Sequence, residues 1–276
     1  MTTHLSIDET CLSHGELYTV VTNKQARGKK GTIVTVLNGT RSEDIIPVLL
    51  KIPARIRNKV QEITLDLASN MALIAKKSFP NAVQVIDRFH VQQLATEALQ
   101  EIRIKHRWQA IDDENLALEQ AKTQKSTYLP EVLSNGDTVK QLLARSRYLL
   151  YSKQDSWSKD QHNRAILLFE RYPDIEKAYN LSQQLSWIFN GTADKLYAFA
   201  RLAKWNEKVE QSGFKSFNTV SRTITLHHKK ILNYFDNKST NASAESFNAK
   251  IKAFRSQFRG VGDINFFLFR LTKLFA

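Results

Sequence analysis

The chain has 276 residues, 42% hydrophobic and 10% aromatic, so it can build a sizeable core and is not a disordered polyelectrolyte. Lys and Arg number 40 against 27 Asp and Glu, a formal charge of +13 spread along the chain, which favours a polyanionic partner such as nucleic acid over a mere solubility role. The single cysteine, Cys11, excludes a disulfide framework and a cysteine-based zinc site, and no stretch nears the ~20 apolar residues of a membrane span.

The N-terminus has no basic segment followed by an apolar run, so no signal peptide is expected and the protein is expected in the cytoplasm. Residues 5–10 read as a first strand, 16–22 as a β-rich second and 32–37 as its return, around a basic turn holding Arg27, Gly28, Lys29 and Lys30. This succession predicts an antiparallel meander. Residues 42–51 read as a short helix capped by Ser42, with Pro47 early enough to be tolerated, and Arg55, Arg57 and Lys59 form a basic link. A fourth strand over 62–67, a helix from Ser69 to Phe79 and a fifth strand over 82–87 have β-α-β spacing, which implies parallel pairing with a right-handed crossover.

From about residue 91 to 236 the apolar spacing turns helical, over 139–151, 160–171, 174–189, 192–211 and 217–235. Residues 115–137 resist assignment and are read as a flexible link; Gly191 and Gly213 sit where helices should stop. The sequence thus divides into a first sheet part (1–92), an all-helical insertion (93–236) and C-terminal helices (237–276). The fold class is α/β: a mixed five-stranded sheet, three antiparallel strands then two parallel, flanked by helices and interrupted by an all-α insertion.

The chemistry concentrates near the end. At ~100° per residue, Phe247, Ile251, Phe254 and Phe258 fall on one arc of a helix opened by Asn241 or Ser243, while Glu245, Asn248, Lys252, Arg255 and Arg259 fall on the other. That second face reads either as a solvated, salt-bridged surface or as a carboxylate poised to hold a metal beside a phosphate backbone. Asp8 lies mid-strand, where its neighbour Glu9 faces the other way, and Asp66 lies near the end of the fourth strand. Were those strands adjacent, the two aspartates and Glu245 would make an all-oxygen cluster suited to Mg²⁺ or Mn²⁺. Two such ions can activate a water or a 3′-hydroxyl and stabilise the leaving oxygen.

These residues carry a resemblance. Ile7-Asp8-Glu9-Thr10, Leu65-Asp66-Leu67-Ala68 and the T-N-x-x-x-E-x-x-N-x-x-I-K run from Thr240 to Lys252 resemble the catalytic part of a bacterial insertion-sequence transposase of the DDE class, with an RNase H-like fold. Asp87-Arg88-Phe89-His90 resembles the C/D-x-x-H motif of Mutator-like transposases. The resemblance implies DNA strand cleavage and strand transfer at element ends, with Asp8, Asp66 and Glu245 as metal ligands for two ions, Mg²⁺ or Mn²⁺. It implies that His90 contacts the scissile phosphate or the leaving strand end, against the alternative of a structural hydrogen bond, and that Asp87 orients His90 or supports the cluster. Asn248, Lys250, Lys252, Arg255 and Arg259 are then DNA contacts.

The implied partners are element-end and target DNA, a second copy of the chain when ends are synapsed, and no membrane; the implied location is the bacterial nucleoid. Full-length relatives carry a zinc-binding and helix-turn-helix region before the first catalytic strand, where this chain begins. End recognition is therefore expected from a separate N-terminal DNA-binding protein or a further segment. An inactive or domesticated DNA-binding fragment and a structure-selective nuclease on the same fold are the alternatives.

Overall fold

The computed structural model describes residues 3–13, 16–258 and 262–276. The chain forms two compact units, one of residues 1–91 with 227–276 and one of residues 92–226.

The first unit is built on a five-stranded sheet. Strands β1 (His4–Ser13), β2 (Glu16–Asn23) and β3 (Ile33–Asn38) pair antiparallel, and β4 (Glu62–Leu65) and β5 (Val83–Ile86) add parallel, giving the order β3-β2-β1-β4-β5. The predicted mixed α/β sheet, three antiparallel strands and two parallel, is what forms. Parallel pairing of β1 with β4 and of β4 with β5 needs crossovers, which α1 (Ser42–Leu50), the short α2 (Ala54–Arg57) and α3 (Ser69–Ser78) supply. Pro47 lies inside α1 as expected, but Ser42 is the helix's first residue: Arg41 takes the cap position and makes no side-chain cap bond. The basic link around Arg55 contains the helical turn of α2. The fourth strand stops at Leu65, so Asp66 sits just beyond it and not within it.

Strand alternation divides the sheet into two unlike faces. Leu5, Ile7, Ile63, Leu65 and Ile86 share one face and are fully buried. α3, which touches β1, β4 and β5, buries Met71, Ile74 and Ala75. The other face carries His4, Ser6, Asp8 and Thr10 of β1, with Glu62 and Thr64 registered beside His4 and Ser6.

The second unit is helical. α4 (Arg88–Thr123) gives its first turn to the sheet unit and runs nine residues into the stretch 115–137. α5 (Val139–Leu149), α6 (Lys159–Arg171), α7 (Pro173–Gly191), α8 (Lys195–Ser212) and α9 (Lys215–Leu232) follow. Thr138 and Ser158 open α5 and α6 with reciprocal capping boxes to Gln141 and Gln161, and Gly213 ends α8 at φ 75°, where a left-handed residue is required. Trp205 and Trp157 satisfy their indole N–H groups on the carbonyls of Leu181 and Leu149. Asp137, nearly inaccessible, accepts from both Arg145 and Arg164.

The chain returns to the first unit through the end of α9 and the four-residue α10 (Tyr234–Asn237), where a single helix through residue 235 was expected. α11 (Ala242–Gln257) and α12 (Ile264–Phe275) complete it. None of the described helices is long and apolar enough to cross a membrane.

Candidate active site

α11 lies across the polar face of the sheet and meets two kinds of surface there. Phe247 and Ile251, both fully buried, join Tyr18, Val20, Ile33, Phe267 and Leu271 in one core cluster, with Phe254 and Phe258 packed at its margin. The aromatic arc read from the sequence is therefore the packed face, although the helix ends at Gln257 and Phe258 stands just beyond it. Tyr18 and Val20 lie opposite Thr10 and Asp8 in the β1–β2 ladder. The apolar contact over β2 thus fixes where the neighbouring residues of α11 reach β1. Asn248, expected on the solvent arc, is 9% exposed and donates from Nδ2 to Asp8 Oδ2 at 2.7 Å.

The approach to α11 is tied down by polar contacts. Asp87, directly after β5, is fully buried; its Oδ1 accepts from the Phe89 amide at 3.0 Å and its Oδ2 from the Asn241 amide at 2.7 Å. Asn241 does not cap α11 with its side chain; its Oδ1 accepts instead from Ser6 Oγ at 2.9 Å. One turn of chain away, buried Glu62 accepts from Asn237 Nδ2 at 3.0 Å and from Ser239 Oγ. Lys24 donates to Thr64 Oγ1 at 2.6 Å, contacts Ser239 and lies 3.6 Å from Glu62. Burial alone would raise the Glu62 carboxyl, but the Ser239 and Asn237 hydrogen bonds and the Lys24 charge outweigh it and hold the pKa below its ordinary value. Burial depresses Lys24, with Glu62 opposing. Residues 237–241 are thereby bonded to β1, β4 and the end of β5, and the start of the Glu245 helix is fixed relative to Asp8.

The Asp8 carboxyl is shifted from its ordinary value by several neighbours. Burial pushes its carboxyl up; the Glu9 amide and the charge of His90 pull it down; Asp66 and Glu245 push it up again, and the net shift is upward. Its Oδ1 accepts from the Glu9 amide at 2.8 Å, while Asp66 Oδ1 accepts from the Ala68 amide at 2.9 Å in a tight local turn. A half-buried carboxylate crowded by two others suits a divalent cation, which relieves their repulsion and takes oxygen ligands.

Among the described residues, the group whose possible ligand atoms all lie within 4.8 Å of one another is Asp87, His90 and Glu245; Asp8 and Asp66 are not part of it. Asp87 is a poor ligand: it is sealed from solvent, and both oxygens already serve backbone amides. Its two hydrogen bonds tie the start of α4 to the approach to α11. His90 differs, because its Nε2 is buried with no hydrogen-bond partner, an unusual condition that a phosphate oxygen or a cation's water would relieve. The exposed Glu245 carboxylate faces it.

The predicted DNA contacts fare unequally. Lys252 is exposed. Lys250 bends back so that Nζ reaches the Gly28 carbonyl at 3.4 Å, in the basic β2–β3 turn; Gly28 has φ +73°, and a Cβ there would come within 2.9 Å of that ammonium. The Arg255 guanidinium lies 5.3 Å from the Phe267 ring centroid. Arg259 lies outside the described residues. Ser6 and Lys24 were not singled out from sequence, and Asn241 only as a cap and motif residue; the available signal was the alternation that puts Ser6 and Thr64 on the same face as Asp8.

Among curated proteins none matches the chain significantly. The transposase family DDE_Tnp_ISL3 matches residues 5–271, from the first strand to the last helix, and so takes in Asp8, Asp66, Asp87, His90 and Glu245 together. The chain therefore belongs to the ISL3 family of DDE transposases, enzymes of DNA transposition encoded by insertion sequences.

Proposed function

We propose that this chain cuts and rejoins DNA strands at insertion-element ends, with Asp8, Asp66 and Glu245 holding two divalent ions, Mg²⁺ or Mn²⁺. The observation that supports this reading is the hydrogen bond from Asn248 Nδ2 to Asp8 Oδ2, which sets the Glu245 helix against the first strand's aspartate; Asp66 and Glu245 both act to raise the Asp8 carboxyl. When bound, such ions make a water or 3′-hydroxyl nucleophilic and stabilise the charge on the leaving oxygen.

The chain's own groups do the rest. Asp87 and Ser6, through Asn241, hold the Glu245 helix in register with Asp8. His90 presents Nε2 toward the scissile phosphate, and Lys252 and Arg255 receive the flanking backbone. Two copies act together at synapsis.

The test is cleavage of a duplex carrying an element end, with Mg²⁺ or Mn²⁺ and with chelator. Asp66→Asn should lower cutting by roughly three orders of magnitude, the several kcal/mol that metal stabilisation supplies. Cutting that survives Asp66→Asn, or persists in chelator, overturns the reading.

A further inference from the structure

In the helical unit, Trp187 on α7 is 56% exposed, although a tryptophan gains most when covered. It is nonetheless fixed. The Arg201 guanidinium sits 4.5 Å from its ring centroid, and Arg201 Nη1 donates to Thr192 Oγ1 at 2.7 Å and to the Gly191 carbonyl at 3.3 Å. Gly191 lets the indole lie close against the end of α7, since a Cβ there would meet the ring at 3.2 Å.

Beside the ring runs a shallow cleft of about 180 Å³. Its α8 wall presents Arg201, Lys204 and Lys208, spaced to share one helix face, and no carboxylate is among its lining residues. Lys208 Nζ donates to Gln184 Oε1 at 2.9 Å across the cleft. The volume falls below the roughly 300–1,000 Å³ that encloses a small molecule. A rigidly held, more than half-exposed indole flanked by cations instead has the form of a stacking platform on a charged track.

We propose that Trp187 stacks an unpaired DNA base, with Arg201 holding the ring and Lys204 and Lys208 taking the strand's phosphates. An acidic protein segment would satisfy the lysines but has no use for a pre-set indole face, whereas DNA is the family's substrate. The inference rests on that substrate and not on metal-dependent cleavage.

The test is fluorescence anisotropy of the full chain in chelator, with a labelled single-stranded oligonucleotide and its duplex; cutting is silent there, so the result stands apart from the cleavage assay. Trp187→Leu keeps apolar bulk without a π-face. It should weaken single-strand binding roughly 5- to 100-fold and duplex binding less than about two-fold, while Trp187→Phe restores most of the affinity. Replacing Lys204 and Lys208 by Ala should flatten the log–log salt dependence on single strands by roughly 1.4. Equal losses on both DNAs, no loss on either, or loss of binding to phosphatidylserine vesicles or polyglutamate with single-strand affinity intact would overturn the proposal.

Discussion

Over β2 and β3, α11 sets Phe247 and Ile251 against Tyr18, Val20 and Ile33, and α12 closes the cluster with Phe267 and Leu271. Over β1, the same helix sets Asn248 on Asp8. One half of this sheet face is a dry core; the other is a row of carboxylates, hydroxyls and amides. The difference teaches a division of labour. Apolar packing is non-directional and strong in sum, so it anchors the helix. The polar half contributes little net stability but sets register, because each hydrogen bond there demands a particular partner.

The comparison can be broken first at its anchor. Phe247→Ala should destabilise the protein by about 3–5 kcal/mol in denaturant melts, through lost burial and a cavity. Glu245→Gln, on the exposed side of the helix, should leave stability nearly unchanged and abolish cutting. Should the two variants show the same profile, the halves are not separable.

Asp87→Ala comes next. It strips the acceptor from two buried amides, Phe89 and Asn241, each worth roughly 1–3 kcal/mol when orphaned, for a loss of about 2–4 kcal/mol by the same melts. Because Asp87 positions the Glu245 helix, metal-ion affinity measured by titration calorimetry should also fall, roughly 10- to 100-fold. A stability loss with unaltered ion affinity would mark Asp87 as purely structural.

Two smaller effects sharpen the polar half. The Asp8 carboxyl is raised, chiefly by burial, so its ionised form costs stability at neutral pH. Asp8→Asn should therefore raise Tm in chelator. Asn248 Oδ1, buried without a partner, can turn to accept from the new amide. A lower Tm for Asp8→Asn would contradict the account of the site. Glu62 has the opposite sign: its folded pKa is depressed, so its contribution is present above the ordinary value of 4.5 and is lost as pH falls through the folded value. Melts of Glu62→Gln should show a weaker acid-side loss below that value than the parent chain, with Asp137 supplying the remainder.

The mixed pairing was legible because alternation and crossover spacing are local: the meander of residues 5–37 and the β-α-β interval between the runs at 62–67 and 82–87 leave few ways to pair. The packed arc of α11 was equally legible, since a helix repeats its own period. Strand ends were not. Asp66 and Asp87 each fall just past a strand because their side chains accept nearby amides and turn the chain, a competition that apolar patterning does not register. The same limit placed Asn248 in solvent: helical phase gives an angle, but the sheet surface beneath decides whether that angle is covered.

By itself, then, the sequence determined the chemistry on offer: which residues are acids, which arc of the last long helix is apolar, and that the chain is strongly cationic. The tertiary structure alone decided which side chains meet. Asp8 and Asn248 lie at opposite ends of the sheet unit's chain, and only packing of Phe247 on Tyr18 and Val20 and the bonds of Asp87 and Ser6 to Asn241 bring them together. Contacts of that sequence separation depend on all the intervening elements at once, and no local pattern encodes them.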